Sequence, residues 1–418
     1  MAQLTVTPQP IGIFSLPAGY LLLPAVPGVE AVQGALLQGR TPRNLPPALR
    51  FFELALAGET DAAYEALAGD ASPEAAFNRF VLRPDPVQYL ALSSEFTGDL
   101  RHLLDVVAYT LGYLAAPPER GETQAECLAF VLMAQATHAL EQGDSGRAVG
   151  LLAEAVQAAR PNSPVFAAQL LGTLAETRYN FLGPDAALIQ QYQEAIRLLE
   201  PTDLAETRAE LWLNLGIVYQ DMAQGRRGPL LEAAKCYQKA LSVLTREAQP
   251  EAYALAQTNL ALAYLAMPLQ EASDQLRMGI AVQSLREALK VYTPETHPEQ
   301  WASAQLNLAN AYQYLPSAHP EENLAQAVEL YEEILAVRRP ETDPVGYARV
   351  LANQGNALAH LGIFVHAVPN LTEALALFES CGETEAAQSV AELLEQVKTA
   401  QMQAEAGKRN GIVSTPAI

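Results

Sequence analysis

The feature that most constrains this chain is an internal repeat of 45 to 48 residues in its second half. An asparagine followed two residues later by Gly or Ala recurs at this spacing, at Asn214, Asn259, Asn307 and Asn353. Three of these units open with the same pattern, Pro-x-x-aromatic-Ala. Self-similarity at a fixed period of this size indicates stacked repeats rather than unrelated domains.

Each unit reads as two helices packed at close range. The Gly or Ala after each asparagine lets a second helix approach, and that helix has alanines or a close substitute seven residues apart, as at Ala233 and Ala240. Larger side chains, such as Tyr219 and Tyr237, are predicted to fill the space between successive pairs. Proline suits a helix start, where its missing N–H is not needed. One pair cannot bury both of its faces, so the units must stack into one core.

One stretch resembles the tetratricopeptide (TPR) consensus almost position for position. It reads Trp212-x2-Leu215-Gly216-x2-Tyr219 and then Ala233-x3-Tyr237-x2-Ala240. The resemblance covers about residues 122–382 and is most specific over 205–292. It implies an all-α fold, a right-handed α-solenoid of about six stacked antiparallel helix pairs.

The period exceeds that of an ordinary TPR unit, which has about 34 residues. We place the extra length mostly between the two helices of a pair, in Met222–Leu230, Met267–Gly279 and Leu315–Asn323. Together with the Pro-x-x-aromatic-Ala start, this resembles long-period bacterial TPR arrays associated with CHAT-type proteases, although we find no protease domain in this sequence.

The sequence predicts five regions. Residues 1–45 form a Pro-rich irregular segment, either extended chain or a short hairpin pinned to the helical body, and 46–118 form a helical capping or docking region. The repeat array occupies 122–382, a capping helix 383–406, and a disordered tail 407–418.

Charge and cysteine content restrict the partners and the compartment. The chain has 26 basic and 47 acidic residues, a net charge of −21, which disfavours nucleic acid and anionic membranes as partners. The first 39 residues contain no Lys or Arg, so a secretory signal is not indicated. Three widely spaced cysteines fit a reducing compartment. We therefore expect a cytoplasmic bacterial protein.

Catalytic and cofactor motifs are not evident. The histidines and cysteines lack metal-ligand spacing, and neither a P-loop nor a dinucleotide-binding glycine pattern occurs. Gly143-Asp144-Ser145-Gly146 resembles the nucleophile stretch of trypsin-like proteases, but it falls where a helix–helix turn is expected. We predict no enzyme activity, no metal and no cofactor. Chemistry within residues 1–120 is the open alternative.

The TPR resemblance implies that the first helices of successive units line a concave groove. Carrying over the groove positions and adding the repeated asparagines gives the candidate partner-binding residues Leu213, Asn214, Ile217, Gln220, Asn259, Leu262, Leu265, Leu306, Asn307, Asn310, Gln313, Arg349, Asn353 and Asn356. The asparagine amides could bond a ligand backbone or bridge their own stack. Only Arg349 is basic among these, which argues against a carboxylate clamp.

These observations predict a non-enzymatic protein-interaction module: a scaffold, assembly factor or regulatory subunit that binds a partner peptide or helix in the groove. The protein's own N-terminus could equally fill that groove. The alternative function is a sensor or regulator that responds to a peptide or small molecule. Homo-oligomerisation is left open.

Overall fold

The computed structural model describes residues 2–268, 274–315 and 319–409. The chain divides into two compact units, Met1–Met222 and Ala223–Ile418. The tail predicted for 407–418 lies outside the described residues from 410 onward, and Arg409 ends the last helix. Within the residues that the structure describes, no helix combines the length and hydropathy needed to cross a membrane.

Unit 1 consists of helices joined mostly by short turns. They are α1 (Val29–Leu37), α2 (Arg50–Leu56), α3 (Thr60–Ala66), α4 (Pro73–Leu82), α5 (Pro86–Glu95), α6 (Gly98–Thr110), α7 (Ala125–Glu141), α8 (Ser145–Ala159), α9 (Pro164–Leu182), α10 (Ala186–Leu199) and α11 (Ala205–Asp221). Aspartates begin several of them. The Asp144 and Asp185 carboxylates accept N–H groups of α8 and α10, satisfying donors that a helix start leaves open.

Unit 2 contains the most regular repeats. Its helices are α12 (Arg227–Leu241), α13 (Pro250–Leu265), α14 (Asp274–Ala288), α15 (Pro298–Tyr314), α16 (Pro320–Val337), α17 (Pro344–His360), α18 (Phe364–Ser380) and α19 (Thr384–Arg409). The prolines predicted to open units occupy the first position of α13, α15 and α17. The all-α fold class and the stacked helix pairs are thus confirmed.

Small residues lie where the helices of a pair cross. Ala261 and Ala309 are fully buried. A Cβ on Gly355 would lie 2.8 Å from Leu371 Cγ and 3.2 Å from the Ala367 carbonyl oxygen. This close approach of α17 and α18 is the reason that a glycine stands at position 355.

The side chains predicted to fill the space between pairs are fully buried: Tyr237, Leu285, Tyr331 and Leu371. A second feature of the stack was not predicted. The Tyr264 hydroxyl accepts a hydrogen bond from Gln238 Nε2 at 2.8 Å, and Tyr312 is bonded by Arg286 in the same way. In unit 1, Gln193 Nε2 bonds the Tyr219 hydroxyl at 3.1 Å. These three tyrosines therefore tie α11, α13 and α15 to the preceding second helix, each across 26 residues.

The extra repeat length is distributed differently from the prediction. The connections between pairs are long as well, with eight residues at 242–249 and nine at 289–297, whereas residues 269–273 between α13 and α14 lie outside the described residues. The second helices also begin earlier than expected, at Arg227, Asp274 and Pro320. The surplus is therefore shared between connections within pairs and connections between pairs.

The predicted boundary at residue 45 does not separate two bodies. Residues 1–45 contain the helix α1, and Leu21, Val32 and Leu36 share one buried cluster with Phe52 and Leu67 of the following helices. Apart from α1 and the short 3-10 turn Ala18–Tyr20, the segment is irregular, as expected. Its first residues make an isolated parallel bridge between Ala2 and Phe96 rather than a hairpin.

Candidate functional site

The predicted groove positions can be defined by their distance from the small residue at each helix crossing. They lie six and three residues before it and one and four residues after it. On α13, α15 and α17 these positions, together with the repeated asparagines that adjoin them, form the unit 2 row: Leu255, Thr258, Asn259, Leu262, Leu265, Ser303, Leu306, Asn307, Asn310, Gln313, Arg349, Ala352, Asn353, Asn356 and Ala359. The same spacing on α7, α9 and α11 defines the unit 1 row, which includes Phe130, Phe166, Gln169, Glu210 and Leu213.

On α7 and α9 the unit 1 row is occupied by the protein's own N-terminal segment, residues 2–26, which we call the strap. Gln169 Nε2 donates a 2.8 Å hydrogen bond to the Ile13 carbonyl. The backbone at Gly12 lies against the Phe166 ring so closely that a Cβ there would be 2.3 Å from Phe166 Cε2. The Tyr20 ring meets Phe130 edge-on, with centroids 5.2 Å apart. The protein's own N-terminus therefore covers the equivalent positions on α7 and α9, which the prediction did not include among the groove residues.

Side-chain amides hold the strap by its backbone. Asn78 donates to the Leu22 carbonyl and accepts from the Leu22 N–H, both at 2.8 Å. Gln9 does the same for Leu23, at 3.0 and 2.8 Å. An amide that bonds both groups of one residue replaces the neighbouring strand that extended backbone otherwise needs.

Two buried carboxylates add to this attachment. Glu126 accepts the Gln9 N–H at 2.9 Å, and Glu74 accepts both the N–H and the hydroxyl of Thr5 at 2.7 Å. Burial raises the pKa of Glu126 above its ordinary value, and the hydrogen bond from Gln9 opposes that rise. The Gln9 N–H therefore offsets part of the cost of burying a charged Glu126.

The α11 positions are less open than predicted. Leu213 is only 5% exposed, so it is a core residue and offers little surface to a ligand. Asn214, Ile217 and Gln220 are half-buried. Desolvation and the nearby carboxylates Glu206 and Glu176 raise the pKa of Glu210, which lies at the start of this row. These four candidates belong to unit 1, whereas the remaining ten lie in unit 2.

The unit 2 row combines leucines with amides. Leu262, Leu265 and Leu306 are half-buried, and Leu255 is 40% exposed. Asn259 and Asn307, also half-buried, make no side-chain hydrogen bond with any other residue that the structure describes. Their amides are therefore free to bond a ligand, which is the first of the two roles predicted for the repeated asparagines.

Asn353 has the second predicted role, which is to bridge its own stack. Its Nδ2 donates to Asn310 Oδ1 at 2.9 Å, linking α17 to α15. The Tyr331 hydroxyl lies 2.6 Å from the same Asn310 oxygen and 3.1 Å from Gln313 Oε1. Burial raises the pKa of Tyr331, so its hydroxyl keeps its one proton, which it donates to the nearer oxygen, that of Asn310. Because Tyr331 and Asn353 occupy the Asn310 oxygen, Asn310 is left with N–H groups to offer, whereas Gln313 Nε2 is buried without a partner among the described residues.

Arg349 contributes the single charged side chain of the unit 2 row. It is exposed, and the structure pairs it with no carboxylate among residues 2–268, 274–315 and 319–409. Asn353 follows it by one helical turn, so the two side chains lie on the same face of α17. A cation beside amide donors favours a group that accepts hydrogen bonds.

The catalytic candidates have structural roles in the described part of the chain. Asp144 and Ser145 begin α8, and Asp144 caps it by accepting the Arg147 N–H at 3.0 Å. Cys127 and Cys236 are buried, and burial raises the pKa of the Cys236 thiol to about 12. Among the described residues, no three His, Cys, Asp or Glu side chains come together as a metal site would require.

Solved structures with related helix arrangements match over much of the chain. MamA is 21% identical, with 51% of this chain and 96% of that chain covered and a TM-score of 0.36. A Rap protein complexed with Competence and Sporulation Factor is 14% identical, covering 85% and 98%, with a TM-score of 0.36. The C-terminal part of a TPR repeat-containing protein from Cytophaga hutchinsonii is 16% identical, covering 71% and 95%, with a TM-score of 0.32. No family model and no curated protein matches the chain.

The paired helices, the small residues at their crossings and the buried side chains between pairs are those that the sequence resemblance implies. The chain has the TPR fold. The suggested association of such TPR arrays with CHAT-type proteases stays a prediction.

Sequence reasoning missed the residues that bind the strap and the hydroxyl that orients the amides. Phe166 and Gln169 stand six and three residues before Gly172, the offsets used for the later TPR units, so the same rule applied to α9 would have found them. Tyr331 was predicted to be a packing residue, and its buried ring confirms that role. The direction of its hydroxyl has no signal in the sequence.

Proposed function

We propose that this protein is a non-enzymatic interaction module of the bacterial cytosol, a scaffold, assembly factor or regulatory subunit, and that it binds a partner protein along the unit 2 row. One observation carries the proposal. At equivalent positions, the unit 1 row binds a peptide segment in cis, while the unit 2 row presents half-buried leucines and unbonded amides.

The physical basis is preorganisation. Helices α13, α15 and α17 hold the row in place before a partner arrives, so little ordering entropy opposes binding. Leu262, Leu265 and Leu306 still have exposed surface. Covering that surface contributes about 1 kcal/mol per side chain, since burying a leucine completely is worth roughly 1.5–3 kcal/mol.

The test compares leucines on and off the row. The double variant Leu262→Ala/Leu306→Ala shortens two row residues, and Leu276→Ala shortens a 69% exposed leucine of the second helix α14. The tagged proteins are used for affinity capture from a lysate of the native host, with a high-salt wash. We expect wild type and Leu276→Ala to retain a stoichiometric partner through the wash, and the double variant to lose it.

Circular dichroism and a thermal melt establish that the double variant is folded. A partner retained by a folded double variant would place the binding surface elsewhere and refute the proposal. If only the bait is recovered and a purified small ligand shifts its melting temperature, the alternative function, a ligand-responsive sensor, would be favoured over the scaffold.

A further inference from the structure

We infer that the segment bound by the unit 2 row is an extended, aliphatic and proline-rich peptide with one carboxylate, rather than an amphipathic helix. This inference rests on the proposed function and specifies its ligand. It is carried by the strap's binding to unit 1, by the free hydrogen-bonding groups of unit 2 and by the charge of the row.

The strap shows what kind of chain these positions accept. Residues 2–29 contain no charged side chain and five prolines. Between Ala2 and Gly28 the backbone forms no α-helix, and Leu21 has extended dihedral angles, φ −77° and ψ 141°. Gln169 holds this irregular chain by the Ile13 carbonyl. A row built on the same helix positions thus has an extended occupant within the same molecule.

Hydrogen bonding separates an extended ligand from a helical one. Inside a helix the backbone N–H and C=O groups bond one another, so the backbone has no groups left to bond a groove, and an amphipathic helix contacts it through its apolar side chains. The unit 2 row offers the amides of Asn259 and Asn307, which make no side-chain hydrogen bond with a described residue, and the remaining N–H groups of Asn310. An extended backbone can bond them, whereas a helix that presents an apolar face would bury them without partners, which is unfavourable.

Charge complementarity specifies the carboxylate. Arg349 is the single charged member of the row, and it is exposed without an ion pair to any described residue. One Asp or Glu in the peptide would pair with it. Further acidic residues would be repelled by a chain of net charge −21, and basic residues would meet no carboxylate on the row.

The probe is a random twelve-residue peptide library displayed on phage and selected on the full-length protein. We expect the enriched peptides to share alternating aliphatic residues, prolines and one Asp or Glu. When the library is selected on the Arg349→Glu variant, the enriched peptides should carry Lys or Arg where those selected on wild type carry Asp or Glu. For a synthetic peptide of the wild-type consensus, Asn307→Ala and Arg349→Glu should each weaken binding by about tenfold.

Leu276→Ala is the control, because it shortens an exposed leucine of α14 that lies off the unit 2 row. It should leave peptide affinity unchanged. Enriched peptides with apolar residues at helical spacing, or with several basic residues, would overturn this inference. If their binding still required Leu262 and Leu306, the proposed function would survive. A selection with no enriched peptide that depends on those leucines would refute both.

Discussion

At the scale of single residues, the packing at a helix crossing depends on whether there is space for a Cβ atom at the position of closest approach. Gly355 has none, because Leu371 and the Ala367 carbonyl occupy the space. Among the described residues, no atom beyond the neighbouring backbone of α14 lies within 4 Å of the missing Cβ of Gly279. Both glycines are helical, so they share the same backbone preference and differ only in surroundings.

We expect Gly355→Ala to lower the free energy of unfolding by about 1–3 kcal/mol, because overpacking outweighs the gain of about 1 kcal/mol in helix propensity. Gly279→Ala should raise it by up to about 1 kcal/mol. Urea unfolding of the two variants measures both. Equal effects in the two variants would show that the contact with Leu371 is readily relieved.

A second prediction at this scale concerns Glu126 and pH. Its folded-state pKa is raised above the ordinary 4.5, mainly by burial, so the folded protein binds this proton more tightly than the unfolded chain. Its contribution to stability is therefore fully present below pH 4.5 and is lost as pH rises through the raised pKa. The carboxyl of Asp99, which contributes to the shift, has a raised pKa of its own.

Glu126→Gln keeps an acceptor for the Gln9 N–H and removes the titration. We expect wild type to lose stability relative to this variant as pH rises from about 4.5 towards neutral. Urea unfolding of both proteins across that pH range gives the difference in their unfolding free energies. Asp99 and the other carboxylates titrate in both proteins, so the pH dependence of this difference reports on Glu126. A difference between the two proteins that does not change with pH would contradict the prediction.

At the scale of elements, the strap is a permanent part of unit 1. Ile11, Ile13, Leu21, Leu22 and Leu23 are at most 1% exposed. At roughly 1.5–3 kcal/mol for each buried aliphatic side chain, these five alone contribute about 7–15 kcal/mol. That is comparable to the whole stability of a typical domain, about 5–15 kcal/mol. Thermal fluctuation therefore does not release the strap from unit 1.

Leu22→Ala and Leu16→Ala test this view of the strap within one segment. Leu22 is fully buried and Leu16 is 62% exposed. We expect Leu22→Ala to reduce the unfolding free energy by about 2–5 kcal/mol. Leu16→Ala should change it by no more than about 0.5 kcal/mol. A small effect of Leu22→Ala in denaturant unfolding would show that the strap is only loosely attached.

The elements of unit 2 show where sequence reasoning succeeds. The helix pairs from α13 to α18 follow from the repeated prolines, small residues and alanine spacing, because these local preferences agree with the packing that each pair needs. The candidate partner-binding residues lie on the predicted first helices. Leu213 was misjudged because its burial depends on what surrounds α11, which its position within the repeat does not specify.

At the scale of the whole molecule, the acidic composition has a cost in stability. A net charge of −21 repels itself most strongly when the chain is compact. Raising NaCl from about 0.02 to about 0.3 M shortens the screening length from roughly 20 to 6 Å. We expect the unfolding temperature to rise by a few degrees. A thermal melt in choline chloride is the control, since an equal rise there excludes specific sodium binding.

By itself, the sequence determined the all-α class, the stacked pairs and the residues at their crossings, because these features repeat and act over one or two helical turns. Tertiary structure alone decided that the strap fills the unit 1 row and that Tyr331 orients the amides of unit 2. The strap's hydrogen bonds join Gln9 to Glu126 and Ile13 to Gln169, across 117 and 156 residues. Each of these contacts occurs once in the chain. A contact that is not repeated produces no periodic sequence pattern, so it could not be predicted from the sequence.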